Sequence, residues 1–215
     1  MLDGPNFIPK DPRRAVILCH GYGADGHDLF GLVPGFSAEL PGAAFFCPNA
    51  PGYTEFGGRQ WFGLEGYDPQ NIQKSLAAAN QKAADAASIV REYAAKVCQD
   101  IGIPAEHLVI GGFSQGGLMA MHAAYDWEGV AVAGVVALSA VPPVLTQVRN
   151  KVPTFVTHGM QDTIVPYMAL DMTRDTLDRL GINAQFCVQP EMGHDINSAC
   201  ARAACDFIKE VTRKF

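Results

Sequence analysis

Short apolar runs of β type alternate along this chain with longer stretches in which apolar residues recur at steps of three and four. Ala15–Cys19, Ala43–Cys47, Leu108–Gly112, Val130–Leu138, Thr154–Thr157 and Ala184–Val188 read as buried strands. Asp68-Pro69 reads as an N-cap followed by proline at the first helical position. From there Ile72, Leu76, Ala79, Ala83, Ala86, Val90, Tyr93 and Val97 form one buried stripe of a long amphipathic helix, ended by Gly102 and Pro104. Tyr167–Leu180 is a second helix, closed by Gly181, and Ile196, Cys200, Ala203, Phe207 and Val211 mark a last one. Strands separated by helices need crossover connections. The pattern therefore predicts an α/β fold, a mostly parallel central sheet with helices on both faces. No linker, repeat or low-complexity tract divides it, so residues 1–215 read as one domain.

One strand-to-helix turn in this pattern carries chemistry. Gly112-Phe113-Ser114-Gln115-Gly116 follows the apolar Leu108-Val109-Ile110 and precedes the helical Leu118-Met119-Ala120-Met121. This is the Gly-x-Ser-x-Gly form of a nucleophile elbow, in which glycines make room for a strained serine at the positive end of a helix. In a chain with 22 glycines the pentapeptide alone is equally a glycine-rich turn with an idle serine. A serine hydroxyl is a weak nucleophile without a base and an orienting acid. Both candidates lie downstream: Asp162 in the loop after the strand at Thr154–Thr157, and His194 in the loop after Ala184–Val188. The order Ser114, Asp162, His194 is that of an α/β-hydrolase triad. All three follow strand ends, where function collects in a parallel sheet.

An oxyanion hole would come from the loop after the first strong strand, His20-Gly21-Tyr22-Gly23, through the backbone N–H of Tyr22, together with the N–H of Gln115. The segment between the Asn49-Ala50-Pro51 loop and the Asp68-Pro69 helix start is crowded with Gly57, Gly58, Gly63 and Gly66 and with the apolar Phe56, Trp61, Phe62, Leu64 and Tyr67. It reads as a short cover at about residues 56–77, with Trp61 and Phe62 as pocket walls or, alternatively, as core. Leu64 and Val165 complete the expected pocket, with Met192 as a further wall or, alternatively, as core.

Composition narrows the function classes. A hydrophobic share of 48% and a charged share of 18% supply a sizeable core, and a net charge of −6 with no basic cluster argues against nucleic-acid binding. No secretory signal opens the sequence, and no apolar run approaches the length of a transmembrane helix. Of the six cysteines, Cys19, Cys47 and Cys187 fall in predicted core strands, and there is no Cys-x-x-Cys. The expectation is a reduced, cytoplasmic protein without a structural metal or an organic cofactor. Among the remaining histidines, His20 and His158 read as structural hydrogen-bonding residues at strand ends. His27 beside Asp25 and Asp28 lacks metal-ligand spacing, His107 is expected at the surface, and His122 is expected to pack or be partly exposed.

Taken together, Leu18-Cys19-His20-Gly21-Tyr22-Gly23, Pro48-Asn49-Ala50-Pro51, Gly111-Gly112-Phe113-Ser114-Gln115-Gly116-Gly117, His158-Gly159-x-x-Asp162-x-x-Val165-Pro166 and Gly193-His194 resemble the phospholipase/carboxylesterase family of small α/β-hydrolases. The motifs span nearly the whole chain. The resemblance implies an α/β-hydrolase fold, Ser114, Asp162 and His194 as triad, and Tyr22 and Gln115 as oxyanion donors. It implies hydrolysis of carboxylic esters without a cofactor. Small acyl esters, lysolipids or acylated proteins would be the substrates, and a homodimer stays open. Three departures bear on substrate size: Tyr22 where the family usually has Leu, Gly63 where Asp often follows Trp-Phe, and Ser139-Ala140 in place of Ser-Gly. A ligand-binding relative without catalysis is the alternative class, and it would usually lack one of the three triad residues.

Overall fold

The computed structural model describes residues 2–66 and 71–214. Its first half runs β1 (Asn6–Phe7), β2 (Arg14–Cys19), α1 (Gly26–Phe30), α2 (Val33–Glu39), β3 (Ala43–Phe46), β4 (Gly52–Tyr53), β5 (Arg59–Gln60) and α3 (Ile72–Ile101). A short 3-10 turn, Ala105–His107, leads into β6 (Leu108–Phe113), α4 (Gln115–Tyr125), β7 (Gly134–Leu138), β8 (Thr154–Gly159), α5 (Met168–Leu180), β9 (Ala184–Gln189) and α6 (Ser198–Val211). Seven strands form one sheet in the order β1-β3-β2-β6-β7-β8-β9. All neighbours are parallel except β1, which pairs antiparallel with β3 at the edge. This is the parallel, helix-flanked sheet the hydrophobic pattern predicts.

Parallel strands covered on both faces must be apolar on both. Ala15, Ile17 and Cys19 of β2 join the core beneath α3 and α4, whereas Val16 and Leu18 join the core beneath α2 and α6. Helix α4 is buried along its whole length between the sheet and α3. On α3 the buried positions among the described residues are Ser75, Asn80, Ala83, Ala87, Val90, Ala94, Val97 and Cys98. They overlap the predicted stripe at Ala83, Val90 and Val97, and alanines let the two helices approach closely. Asn71 caps α3, its side chain accepting the Lys74 N–H at 3.1 Å. The start expected at Asp68-Pro69 lies outside the described residues.

Other boundaries differ from the sequence reading for local reasons. The strand expected from Val130 begins at Gly134. Before it the chain turns at Gly129, with φ +69°, and the Val130 N–H bonds back to the Trp127 carbonyl at 3.4 Å. Helices α1 and α2 leave no clear period in the sequence, because Gly31, Pro34 and Gly35 interrupt it. The β4–β5 hairpin is too short for strand alternation to show.

Candidate active site

Sheet register explains why residues far apart in sequence meet. Phe113 pairs with Leu138, Leu138 with Thr157, and Gly159 with Gln189. The loops carrying Ser114, Ser139, Asp162 and His194 therefore leave the same edge of neighbouring strands. The His20–Gly23 loop leaves that edge too, since Cys19 pairs with Gly112.

At the end of β6, Ser114 has φ +54° and ψ −116°, a backbone that L-residues rarely adopt. Close approach enforces the turn. A Cβ at Gly112 would lie 2.4 Å from the backbone of Gly116, and one at Gly116 would lie 2.0 Å from the Cys19 carbonyl oxygen. The Ser114 N–H donates to the Leu138 carbonyl at 2.9 Å, and α4 starts at the next residue, so the serine caps its N-terminus.

Asp162 is fully buried at its side chain, while His194 keeps 16% exposure. His194 Nδ1–H donates to Asp162 Oδ2 at 2.7 Å. The other carboxylate oxygen accepts the backbone N–H groups of Ile164 and Val165 at 2.9 and 2.8 Å. A carboxylate fixed by two backbone donors holds the imidazole in one tautomer, with Nε2 free to take a proton. The His194 ring also sits against Phe113, the residue before Ser114, with centroids 4.7 Å apart. Ser139, at φ +44°, hydrogen-bonds through Oγ to the Asp195 carbonyl at 3.2 Å and so supports the histidine loop.

On the other side of Ser114, His20 organises the loop that contains Tyr22. Its Nε2 accepts the Ala50 N–H at 3.0 Å, so Nδ1 carries the proton and donates to the Gly21 carbonyl at 2.7 Å. Burial pushes the His20 pKa down and keeps this tautomer neutral. Among the described residues no protein acceptor takes the backbone N–H of Tyr22 or of Gln115. His158 donates from Nε2 to the Val165 carbonyl at 2.8 Å and so braces the Asp162 loop. His27 lies at the start of α1, whose cap is Asp25.

A cavity of about 370 Å³ opens on Ser114, lined by Tyr22, Phe62, Leu64, Gln115, Val141 and Val165 among others. It shares walls with an apolar extension of about 220 Å³ bounded by Leu76, Pro142, Pro166, Met168 and Met172. Two expected wall residues stand elsewhere. Trp61 is 4% exposed and belongs to the core: its indole N–H donates to the His20 carbonyl at 2.9 Å. An indole N–H needs a partner when buried, and that bond turns the ring inward. Met192 is buried against Cys200 and borders a separate hollow with Gln189 and Asn197. Sequence reasoning passed over the Gln115 side chain and Asn80. Both are buried polar groups that each bond to a partner more than 50 residues away.

Part of the expected cover is tethered: Lys82 Nζ donates to the carbonyls of Gly63 and Glu65 at 2.8 and 2.9 Å. Phe56, at the tip of the β4–β5 hairpin, is 91% exposed. Tyr67 lies outside the described residues. Among the described residues no group of three or more His, Cys, Asp or Glu is placed to hold a metal, and no helix is long and apolar enough to cross a membrane.

A strained serine at a strand–helix elbow beside a buried Asp–His pair, on a parallel sheet, defines the α/β-hydrolase class. The sequence profile of the Phospholipase/Carboxylesterase family matches residues 8–212. The chain belongs to that family and is an ester hydrolase. It is 33% identical to acyl-protein thioesterase 1 of Neurospora crassa, over 96% of this chain and 91% of that protein. The crystal structure of esterase PE8 superposes with a TM-score of 0.88 at 26% identity, covering 98% of this chain and 99% of the other. The carboxylesterase of Bacillus cereus shares the fold, with a TM-score of 0.77 at 16% identity over 98% and 95% of the two chains.

Proposed function

We propose that Ser114 is the nucleophile, His194 the general base and acid, and Asp162 the residue that orients His194. The backbone N–H groups of Tyr22 and Gln115 form the oxyanion hole. The observation that carries this reading is the 2.7 Å bond between His194 Nδ1 and buried Asp162, beside a serine held at positive φ. His194 Nε2 takes the Ser114 proton as Oγ attacks the acyl carbon. The imidazolium that results is stabilised by the Asp162 carboxylate. The tetrahedral oxyanion is held by two N–H groups, each worth a factor on the order of 10² to 10³ in rate. Collapse expels the alcohol or thiol, which takes its proton from Nε2. Water then attacks the acyl-serine by the same route. No metal or organic cofactor enters these steps.

The acyl chain occupies the cavity at Ser114, with Phe62, Leu64 and Val165 as walls. Its continuation between Leu76 and Met172 favours medium or longer chains, so acylated proteins and lysolipids join simple esters as substrates. Residues 1–215 act as one domain, and of the expected cover at 56–77 it is Phe62 and Leu64 that border the acyl site at Ser114. All six cysteines are free thiols, which fits a reducing cytoplasm. A fluorophosphonate probe tests the nucleophile: labelling of wild type but not of Ser114→Ala is expected, and equal labelling refutes the assignment. A chain-length series of matched oxygen esters and thioesters then resolves the substrate. Highest kcat/KM for acetyl esters would refute the long-chain reading.

A further inference from the structure

We propose that Asn80 is a positioning residue that sets the acyl-chain range of the site by fixing the wall formed by Val141 and Pro142; this rests on the ester-hydrolase reading above. Asn80 is 4% exposed, in the interior of α3. Its carboxamide uses all four of its hydrogen-bonding positions. Nδ2 donates to the Leu76 and Pro142 carbonyls at 2.9 and 3.1 Å. Oδ1 accepts from His122 Nε2 and from the Val144 N–H at 2.9 and 2.7 Å. One side chain thus joins α3, the nucleophile helix α4, and the segment after β7.

The tether sits where the backbone of that segment is least able to hold itself. Pro142 and Pro143 have no N–H. Of the backbone groups that remain around these two prolines, the Pro142 carbonyl and the Val144 N–H both end on Asn80. Val141 lines both the cavity at Ser114 and its apolar extension, and Pro142 lines the extension. A shift of this segment therefore changes the far end of the acyl slot before it reaches Ser114. Only a carboxamide fits the position. Aspartate lacks the two donors, and leucine, of similar size, lacks all four groups. His122 completes the arrangement as a donor. It is buried, and its pKa is pushed down to about 4, so it stays neutral near pH 7.

The test uses Asn80→Leu in the full chain, with kcat and KM for acetyl and octanoyl esters and hydrogen exchange at the Val144 amide. Loss of protection at Val144 is expected, together with a rise of about tenfold in octanoyl KM and acetyl kinetics within about twofold of wild type. Equal losses on both esters would reveal a general structural role and overturn the proposal. So would an unchanged octanoyl KM with Val144 freed. If Asn80→Leu does not fold, Asn80→Asp takes its place: it keeps the two acceptor bonds, Val144 included, and loses the donor to the Pro142 carbonyl, so it is judged by the octanoyl and acetyl kinetics alone. If wild type hydrolyses neither ester, the functional reading fails. The wall is then judged by titration with octanoate, where equal affinity of wild type and variant overturns it.

Discussion

The side chain of Gln115 grips the backbone at Trp61. Its Oε1 accepts the Trp61 N–H at 2.9 Å, and its Nε2 donates to the Phe62 carbonyl at 2.8 Å. The residue after Ser114 therefore does two separate things. Its backbone N–H is one of the two proposed oxyanion donors, and its side chain fixes the loop that brings Phe62 to the cavity at Ser114. Gln115→Met keeps the volume and the backbone N–H but strands a buried N–H and a carbonyl. Unsatisfied buried groups cost about 1–3 kcal/mol each. A loss of about 2–4 kcal/mol in denaturant unfolding is expected, with octanoyl KM raised more than acetyl KM. Unaltered stability would show that the grip contributes nothing.

Ser114→Ala should abolish ester hydrolysis and leave the fold intact, since the hydroxyl makes no packing contribution that alanine loses. Residues that act as a unit are strongly non-additive. The loss should be on the order of 10⁴-fold or more in kcat, and Ser114→Ala combined with His194→Ala should be scarcely worse than either alone. Steady-state kinetics on the three variants checks this, and a multiplicative double variant would mean the two side chains act independently.

The chemistry of this edge was easier to read from sequence than its supports. Ser114 announces itself because only glycine is tolerated at Gly112 and Gly116, and backbone crowding of that kind leaves a local signature. Asp162 and His194 follow short apolar runs that read as parallel strands, which puts them at one end of the sheet, although the run before His194 forms the half-buried edge strand β9 and not the buried strand its pattern suggests. Asn80 and Gln115 carry no such mark. A polar residue on an apolar helix face reads as an interruption until its partners are known, and those partners, Pro142 and Trp61, are 62 and 54 residues away. Trp61 shows the same limit. Apolar pattern alone cannot tell a pocket wall from core, and the deciding feature is the bond from its indole to the His20 carbonyl.

That bond separates Trp61 from its neighbour in an experiment. Trp61→Ala removes a buried ring packed against His20, with ring centroids 5.5 Å apart. A loss of about 3–5 kcal/mol in stability is expected, as for large aromatic truncations in cores. Activity should fall by similar factors on acetyl and octanoyl esters. Phe62→Ala, at the cavity wall and only partly packed on the core, should lower the melting temperature less than Trp61→Ala and penalise octanoyl esters selectively, because that chain buries more apolar surface at roughly 25 cal/mol per Å². Paired thermal melts and chain-length kinetics decide the matter. A chain-length effect confined to Trp61→Ala would reverse the two roles.

His122 makes stability depend on acid. Its ordinary pKa is 6.5, and in the folded protein it is pushed down to about 4, chiefly by burial; Asp126 opposes this and Arg91 adds to it. The unfolded chain therefore binds this proton first as pH falls. The stabilisation is fully present above about pH 6.5, declines between 6.5 and 4, and changes little further below 4. The span corresponds to a loss on the order of 3 kcal/mol. His20 shifts in the same direction, so wild type alone does not isolate the effect. His122→Gln removes the titrating group and retains an amide donor for Asn80. Urea midpoints from pH 7 to pH 4 should fall less steeply in His122→Gln than in wild type. Parallel curves would mean that His122 titrates alike in the folded and unfolded chains, and that its burial against Asn80 gives no acid sensitivity.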